Sequence, residues 1–330
     1  LTGIKLAVVL LVALAAAPGA IAARVHEARP LMGTVVEMTA EGLEESELHA
    51  AAGAAWREMA RLSDMMNHYD PASAVSALGA AAGLRAVAVP PELAEVLAMA
   101  RAMSERTQGA FDVTIGALTG WRFRPGEARL PSAAEVAAQR YRVDYRKLKL
   151  DPAARTAFLA ERGMRLDLGG IAKVYILRAG LRVLESRGAA RAMLNGGGDV
   201  IAHGGGWRVG VRDPRAPQTL LGVLELDRGA VLSSGDYERY FEKDGRRYHH
   251  ILDPRTGYPA EGPRGVTLFA EDYVAINGLT VAIMVLGKDA GVRLIAATPG
   301  VEGLIVDRDG ALWMSEGFRR RLLPAGGARR

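Results

Sequence analysis

The chain contains no cysteine. That absence removes disulfides, thiol catalysis, iron–sulfur clusters, cysteine zinc sites and thioether lipid anchors together. Long blocks of one charge are also missing. The formal net charge is +5, yet Lys and Arg alternate with Asp and Glu along most of the sequence, as in Arg57-Glu58 and around 236–247. Only Arg319-Arg320-Arg321 and Arg329-Arg330 cluster. Such interleaving describes a solvated basic surface better than a nucleic-acid footprint. There is no internal repeat, no long linker and no Gly-x4-Gly-Lys-Ser/Thr phosphate loop.

Long apolar runs are scarce as well. The one unbroken run covers residues 6–17, after Lys5 and before Pro18. As a helix it would rise about 18 Å, too short for a hydrocarbon core of about 30 Å. Ala20-Ile21-Ala22 follows as a small-x-small cleavage pattern. Residues 1–22 therefore read as a secretory signal peptide, and the mature chain is expected to be exported, periplasmic and soluble. With no cysteine after the run, it is not expected to be a lipoprotein.

What remains is an ordinary globular composition. The 330 residues are 49% hydrophobic and 24% charged, enough for a sizeable core and for about two domains or one large one. Disorder, collagen and coiled coil are poor descriptions. Periodicity predicts a first strand over 29–40 and a helix over 46–66 capped by Ser46. Further helices are expected over 91–106, 132–140 and 170–187. Short strands with glycine turns follow at 191–195, 199–202, 207–211, 221–226, 230–233, 248–252 and 266–270. Helices over 273–286 and 289–298 come next, then strands near 303–306 and 311–314. This order is mixed α+β, an α/β chain without regular βαβ alternation, which disfavours a doubly wound parallel sheet.

Three segments carry candidate chemistry. In Asp167-Leu168-Gly169-Gly170-Ile171-Ala172-Lys173 two glycines precede a helix with a lysine one turn in. That pattern suits an anion at a helix N-terminus, and equally a plain turn. Asn195-Gly196-Gly197-Gly198-Asp199 lies between two strands, where glycines admit close approach of a ligand or simply make a hairpin. His249-His250-Ile251-Leu252-Asp253-Pro254-Arg255-Thr256-Gly257 offers His250 as a base with Asp253 as its electrostatic partner, or a structural turn.

Taken in order, these pieces resemble the ApbE family, the FAD:protein FMN transferases, from about Met32 to Phe318. Met32-Gly33-Thr34 opens the series and Tyr69-Asp70-Pro71-x-Ser73 follows. Then come Gly109-Ala110-Phe111-Asp112-x-Thr114-x-Gly116, the Asp167 to Lys173 segment and Asn195-x-Gly197-Gly198-Asp199. Ser234-Gly235-Asp236-Tyr237-Glu238-Arg239-Tyr240 leads into His250-Ile251-x-Asp253-Pro254-x-Thr256-Gly257.

The resemblance implies an antiparallel sheet core with flanking helices, arranged over 23–330 as two interlocked subdomains. It implies FAD as substrate, cleavage of its pyrophosphate, transfer of FMN to a Ser or Thr hydroxyl of an acceptor flavoprotein, and release of AMP. Lys173, His250 and Asp253 would be catalytic. Met32, Tyr69, Asp112, Gly169, Gly170, Lys173, Asn195, Gly197, Asp199, Ser234 and His250 would line the FAD site. No stable membrane span and no nucleic acid are implied.

The same resemblance implies Mg²⁺, held by an Asp, a Thr four residues later and a backbone carbonyl near Ala172. Here those side-chain positions read Asn277 and Val281. An i, i+4 pair shares a helix face, but a neutral amide and a methyl pair are poor ligands for a hard cation. Mg²⁺ is thus expected for the family and doubtful for this chain. Arg178 stands where the family has an acid, either near the pyrophosphate or in solvent. The alternative function is a FAD-binding protein of the same fold, with a degenerate metal site and no efficient transfer. The family's acceptor pattern, Asp-x-x-Ser/Thr-Gly-Ala-Ser/Thr, does not occur in the sequence.

Overall fold

The computed structural model describes residues 23–124 and 126–325. The predicted signal peptide, residues 1–22, lies outside them.

The chain opens on a hairpin, not on the single strand expected over 29–40. β1 (Arg24–Leu31) and β2 (Thr34–Glu41) pair antiparallel with Leu31 opposite Thr34. Met32 and Gly33 form the turn, with φ of 54° and 71°. Two successive positive values make a type I′ turn, whose twist matches the strands it joins. α1 (Glu45–Met66) then buries Leu48, Ala52, Ala55, Met59 and Leu62 along one stripe. Its N-cap is Glu44, which makes no capping hydrogen bond, so the expected Ser46 cap is not formed.

α2 (Ala74–Ala80), β3 (Val87–Ala88) and α3 (Pro91–Arg106) follow, the last with Pro91 in its first turn. Val113–Ala117 is a 3-10 turn capped by Asp112. In α4 (Ala133–Arg140), Ser132 and Glu135 form a reciprocal capping box. β4 (Leu148–Asp151) and β5 (Thr156–Leu159) make a small sheet with β3. α5 (Ala172–Ser186) carries Lys173 in its first turn.

β6 (Arg191–Gly196), β7 (Val200–His203), β8 (Trp207–Asp213), β9 (Ala216–Leu226) and β10 (Gly229–Gly235) come next. A side hairpin, β11 (Tyr240–Lys243) with β12 (Arg246–His249), precedes β13 (Gly265–Ala270). The strand expected over 248–252 thus ends at His249, which leaves His250 in the following loop. α6 (Leu279–Leu286), α7 (Lys288–Ala296), β14 (Glu302–Val306), β15 (Leu312–Met314), α8 (Glu316–Arg321) and β16 (Leu322–Leu323) complete the fold.

The central sheet has eight strands in the order β1-β2-β6-β7-β10-β13-β14-β15. Every neighbouring pair is antiparallel. Its middle strands are buried on both faces. Along β13, Val266, Leu268 and Ala270 enter the core shared with α1, α3, α5 and α6, while Phe269 points to a second core. That second core also holds Val209, Val211 and Leu224 of the three-stranded sheet β16-β9-β8. Helices, large sheet and small sheet therefore stack as three layers, each face burying apolar area against the next.

Register places the glycine turns together. Leu31 opposes Thr34, Val36 opposes Gly196, Asn195 opposes Val200, and Val200 opposes Val231. The Met32-Gly33 turn, the Gly197-Gly198 turn, Asp199 and Ser233-Ser234 all fall at one end of the sheet.

Candidate active site

Lys173 reaches this sheet end from α5. Its Nζ lies 2.7 Å from Asp199 Oδ2, and its stem runs past Gly196, where a side chain would meet it at 3.4 Å. The second oxygen of Asp199 accepts the Ser233 N–H at 3.1 Å, so the carboxylate joins α5 to β10. One residue on, the Ser234 hydroxyl donates to Thr280 Oγ1 of α6 at 2.9 Å. Asn195 closes the other side: Oδ1 accepts the Gly198 N–H at 2.9 Å and Nδ2 donates to Glu37 at 3.0 Å. Gly197 sits directly on Thr34, leaving no room for a side chain. The Met32 turn and the Gly197 turn are therefore in contact.

His250 enters from the loop after β12. Its backbone N–H donates to the Arg239 carbonyl at 3.0 Å, and its Nδ1 lies 3.3 Å from the same oxygen. A carbonyl can only accept, so Nδ1 carries the proton and Nε2 keeps its lone pair. Burial, then the Arg239 guanidinium and His249, push its pKa down to about 3, with the Lys173 ammonium near enough to contribute. His250 is thus a neutral imidazole beside a lysine. Its neighbour His249 is a different case. Buried, it donates Nε2–H to the Ala260 carbonyl at 2.9 Å and accepts the Ile251 N–H at Nδ1, which makes it a strut of the loop.

Asp253 does not serve as the partner of His250. Arg255 holds both of its oxygens, with Nη2 2.7 Å from Oδ2 and Nε 2.9 Å from Oδ1, and the Arg255 N–H adds a third bond. The carboxylate shapes the turn that follows His250. Asp112 is likewise held by its own neighbourhood. Its Oδ1 accepts the Thr114 N–H and hydroxyl at 2.8 and 2.6 Å, and Oδ2 accepts the Tyr145 N–H at 2.8 Å. All its bonds go to its own chain, and burial raises its pKa to about 6.

The glycine pair before α5 is also less open to an anion than its sequence suggests. The Gly169 N–H donates to Asp167 Oδ1 at 2.8 Å, and the Ile171 and Ala172 N–H groups donate to the Leu168 carbonyl. Lys173 and the helix N-terminus itself are what the turn presents to a negative ligand. Asp167 Oδ1 also lies 3.7 Å from His68 Nδ1, which brings the neighbouring Tyr69 to this turn. Tyr69 is 70% exposed, with the Arg124 guanidinium 5.5 Å over its ring. Arg178 pairs with Glu185 at 2.6 Å on its own helix and does not extend the basic site.

Phe111 stands in one of the ordered motifs, but the sequence gives its ring no role. Its ring lies against Gly170, where a Cβ would come within 3.0 Å, and against Gly278, within 3.1 Å. It wedges α5 and α6 apart at the sheet end. The predicted helix over 273–286 is broken there: Tyr273–Ala275 is a 3-10 turn, and Gly278, at φ 88°, separates it from α6. Asn277 thus precedes the helix, and the shared-face argument for Asn277 and Val281 does not apply. They still converge. Asn277 Nδ2 donates to the Ile171 carbonyl at 3.0 Å, and a Val281 methyl lies 3.4 Å from where a Cβ on Gly170 would sit. The carbonyl that faces Asn277 belongs to Ile171, one residue before Ala172. A separate groove of about 600 Å³ between α1 and α5, edged by Arg57, Arg61, Arg182 and Arg187, contains none of the candidate site residues.

The arrangement presents an ammonium, a neutral imidazole and glycine turns at one end of an antiparallel sheet, and known proteins resemble the chain in sequence and fold. The chain is 32% identical over 278 residues to a FAD:protein FMN transferase of Klebsiella pneumoniae (strain 342), spanning 83% of this chain and 88% of that one. It is 32% identical over 303 residues to another so named from Treponema pallidum (strain Nichols), spanning 85% and 84%. Among solved structures, the ApbE protein of Thermotoga maritima superposes with a TM-score of 0.82 at 32% identity, over 91% of this chain and 99% of that one. The flavin transferase ApbE of Vibrio cholerae superposes with a TM-score of 0.79 at 27% identity, over 91% and 100%. The sequence pattern of the ApbE family matches residues 32–327, which takes in every strand of the central sheet but β1 and every residue of the site. With the motifs in order and the fold shared, the chain belongs to the ApbE family.

Proposed function

We propose that the protein is a FAD:protein FMN transferase acting at the sheet end described above. FAD binds with its pyrophosphate toward Lys173 and the N-terminus of α5, whose charge and dipole favour an anion. A Ser or Thr hydroxyl of an acceptor protein attacks the phosphorus on the flavin side. The new bond is a protein–O–P ester. The bond that breaks is the anhydride P–O bond, and AMP leaves with its electron pair. The hydroxyl proton goes to Nε2 of His250, the only ring nitrogen with a lone pair. Lys173 stabilises the negative charge that builds on the leaving phosphate.

The observation that carries this reading is His250: a neutral base with Nε2 free, beside the site's lysine. Its low pKa belongs to the empty site. A bound pyrophosphate offsets the field of Lys173 and Arg239, which raises the basicity of His250 when substrate is present. Met32, Tyr69, Asn195, Gly197, Asp199 and Ser234 line the same end. Asp112, Asp253 and the Gly169-Gly170 pair shape the backbone around it.

The test is incubation of the purified chain with FAD and an exported flavoprotein bearing a Ser/Thr flavinylation motif, read by mass gain and AMP release. Wild type is expected to add one FMN per acceptor. His250→Gln should bind FAD but transfer at least ~100-fold more slowly. Lys173→Met should weaken FAD binding by about tenfold or more. Bound FAD with no AMP release by wild type would overturn the proposal. Export fits such an acceptor, and among the described residues no helix is long and apolar enough to cross a membrane.

A further inference from the structure

The residues of α6 and its approach that face the first turn of α5 do not suit a divalent cation. Asn277 is uncharged and 1% exposed. Val281 offers methyls alone, and the Thr280 hydroxyl is bonded to Ser234. Among the described residues, no group of three or more His, Cys, Asp or Glu side chains is placed to hold a metal ion. Mg²⁺ takes six oxygens in near-octahedral array and is usually anchored by one or two carboxylates. The donor set here does not fit it.

Asn277 does something else: it donates. Nδ2 gives its hydrogen bond to the Ile171 carbonyl at 3.0 Å. That carbonyl lies two residues before Lys173, at the N-cap of α5. The other end of the amide, Oδ1, is buried with no hydrogen-bond partner, so the side chain is held by its donor end. An amide N–H and a cation share one property: each sets positive charge against a carbonyl oxygen. An Asp in the same pose would set a carboxylate oxygen about 3 Å from that carbonyl oxygen. Two acceptors so placed in a buried site need a proton or a cation between them.

We propose that the Asn277 amide takes the place of a divalent cation in this chain, tying the Lys173 turn of α5 to α6 by a hydrogen bond, so that the site is organised without metal. Asn277 is a positioning residue in this scheme. The consequence for FAD rests on the function proposed above, whereas the link itself does not.

Thermal unfolding of the full chain, with EDTA or with millimolar MgCl2 and no FAD, tests the link. Wild type should unfold within about 1 °C of the same temperature in both buffers. Asn277→Asp should unfold roughly 5 °C lower in EDTA and recover much of that loss with MgCl2. Adding Val281→Thr should enlarge the Mg²⁺ response, and Asn277→Leu should lose stability with no response to Mg²⁺. A wild-type rise of several degrees with MgCl2, or an Asn277→Asp protein indifferent to it, would overturn the proposal. If Asn277→Asp fails to fold, wild type still decides. Its quenching of FAD fluorescence should be equal in both buffers, and loss of binding in EDTA alone overturns the proposal. Failure to bind FAD in either buffer counts against the function proposed above, while the thermal comparison still judges the link.

Discussion

At the scale of single residues, burial keeps three histidines neutral. His250, His249 and His203 all have pKa values lowered by burial. Below the ordinary histidine value of 6.5, the unfolded chain takes up protons that the folded chain refuses. Stability therefore falls as pH drops from about 6.5 toward 3. Asp112 works in the opposite direction. Its pKa is raised to about 6, so its contribution is full below about 3.8 and is lost as pH rises through 6. Burial raises the Asp236 carboxyl as well, so three imidazoles stand against two carboxyls, which still gives a net loss on acidification. The melting temperature should drop between pH 6.5 and 5, before most carboxylates titrate. His250→Gln, which cannot take up the proton in either state, should show a shallower drop. A wild-type melting temperature that rises over this interval would contradict the assignment of neutral histidines.

At the scale of elements, the site depends on where helices start. α5 begins after a turn closed by Asp167 and Leu168, and α6 begins after Gly278 at φ 88°. L-residues reach that conformation only with strain, and here the space is also taken. A Cβ on Gly278 would lie 3.1 Å from the Phe111 ring and 3.2 Å from Met103. Gly278→Ala should therefore destabilise the fold by about 1–3 kcal/mol through the backbone alone. It should also displace Asn277 from Ile171 and slow FMN transfer more than the lost stability explains. Chemical denaturation and single-turnover transfer, measured together, check this. If activity tracks the folded fraction, the start of α6 does not set the site. Ser132, in contrast, caps α4 with a reciprocal box. Losing such a cap costs about 1 kcal/mol, at a helix that carries no site residue.

At the scale of the whole molecule, long-range pairing in one antiparallel sheet assembles the site. Residues from Met32 to Thr280 meet because β2 pairs with β6, β6 with β7 and β7 with β10. Residues 1–22 lie outside the described residues. If they are a signal peptide, mass spectrometry of protein from its native host should find a new N-terminus near Ala23. An intact N-terminal segment on protein held in the cytoplasm would refute export.

Local sequence signals determined much of this. Apolar periodicity located α1, α3, α4 and α5, and the mixed order of elements disfavoured a doubly wound parallel sheet. The resemblance carried by the ordered motifs also put Lys173, Asp199, Ser234 and His250 forward as one site. These are short-range signals, written in 3.6- and two-residue periods and in turn chemistry. Hydrogen-bond partners are different, because they depend on what the fold brings alongside. Only the tertiary structure assigned Asp253 to Arg255 and not to His250, and turned Asp112 onto Thr114 and Tyr145. Only packing set Phe111 between Gly170 and Gly278 and broke the predicted helix at Gly278. The sequence at Asn277 displayed a missing carboxylate. That its amide meets the Ile171 carbonyl, 106 residues away, was decided by the approach of two helix starts across the sheet end.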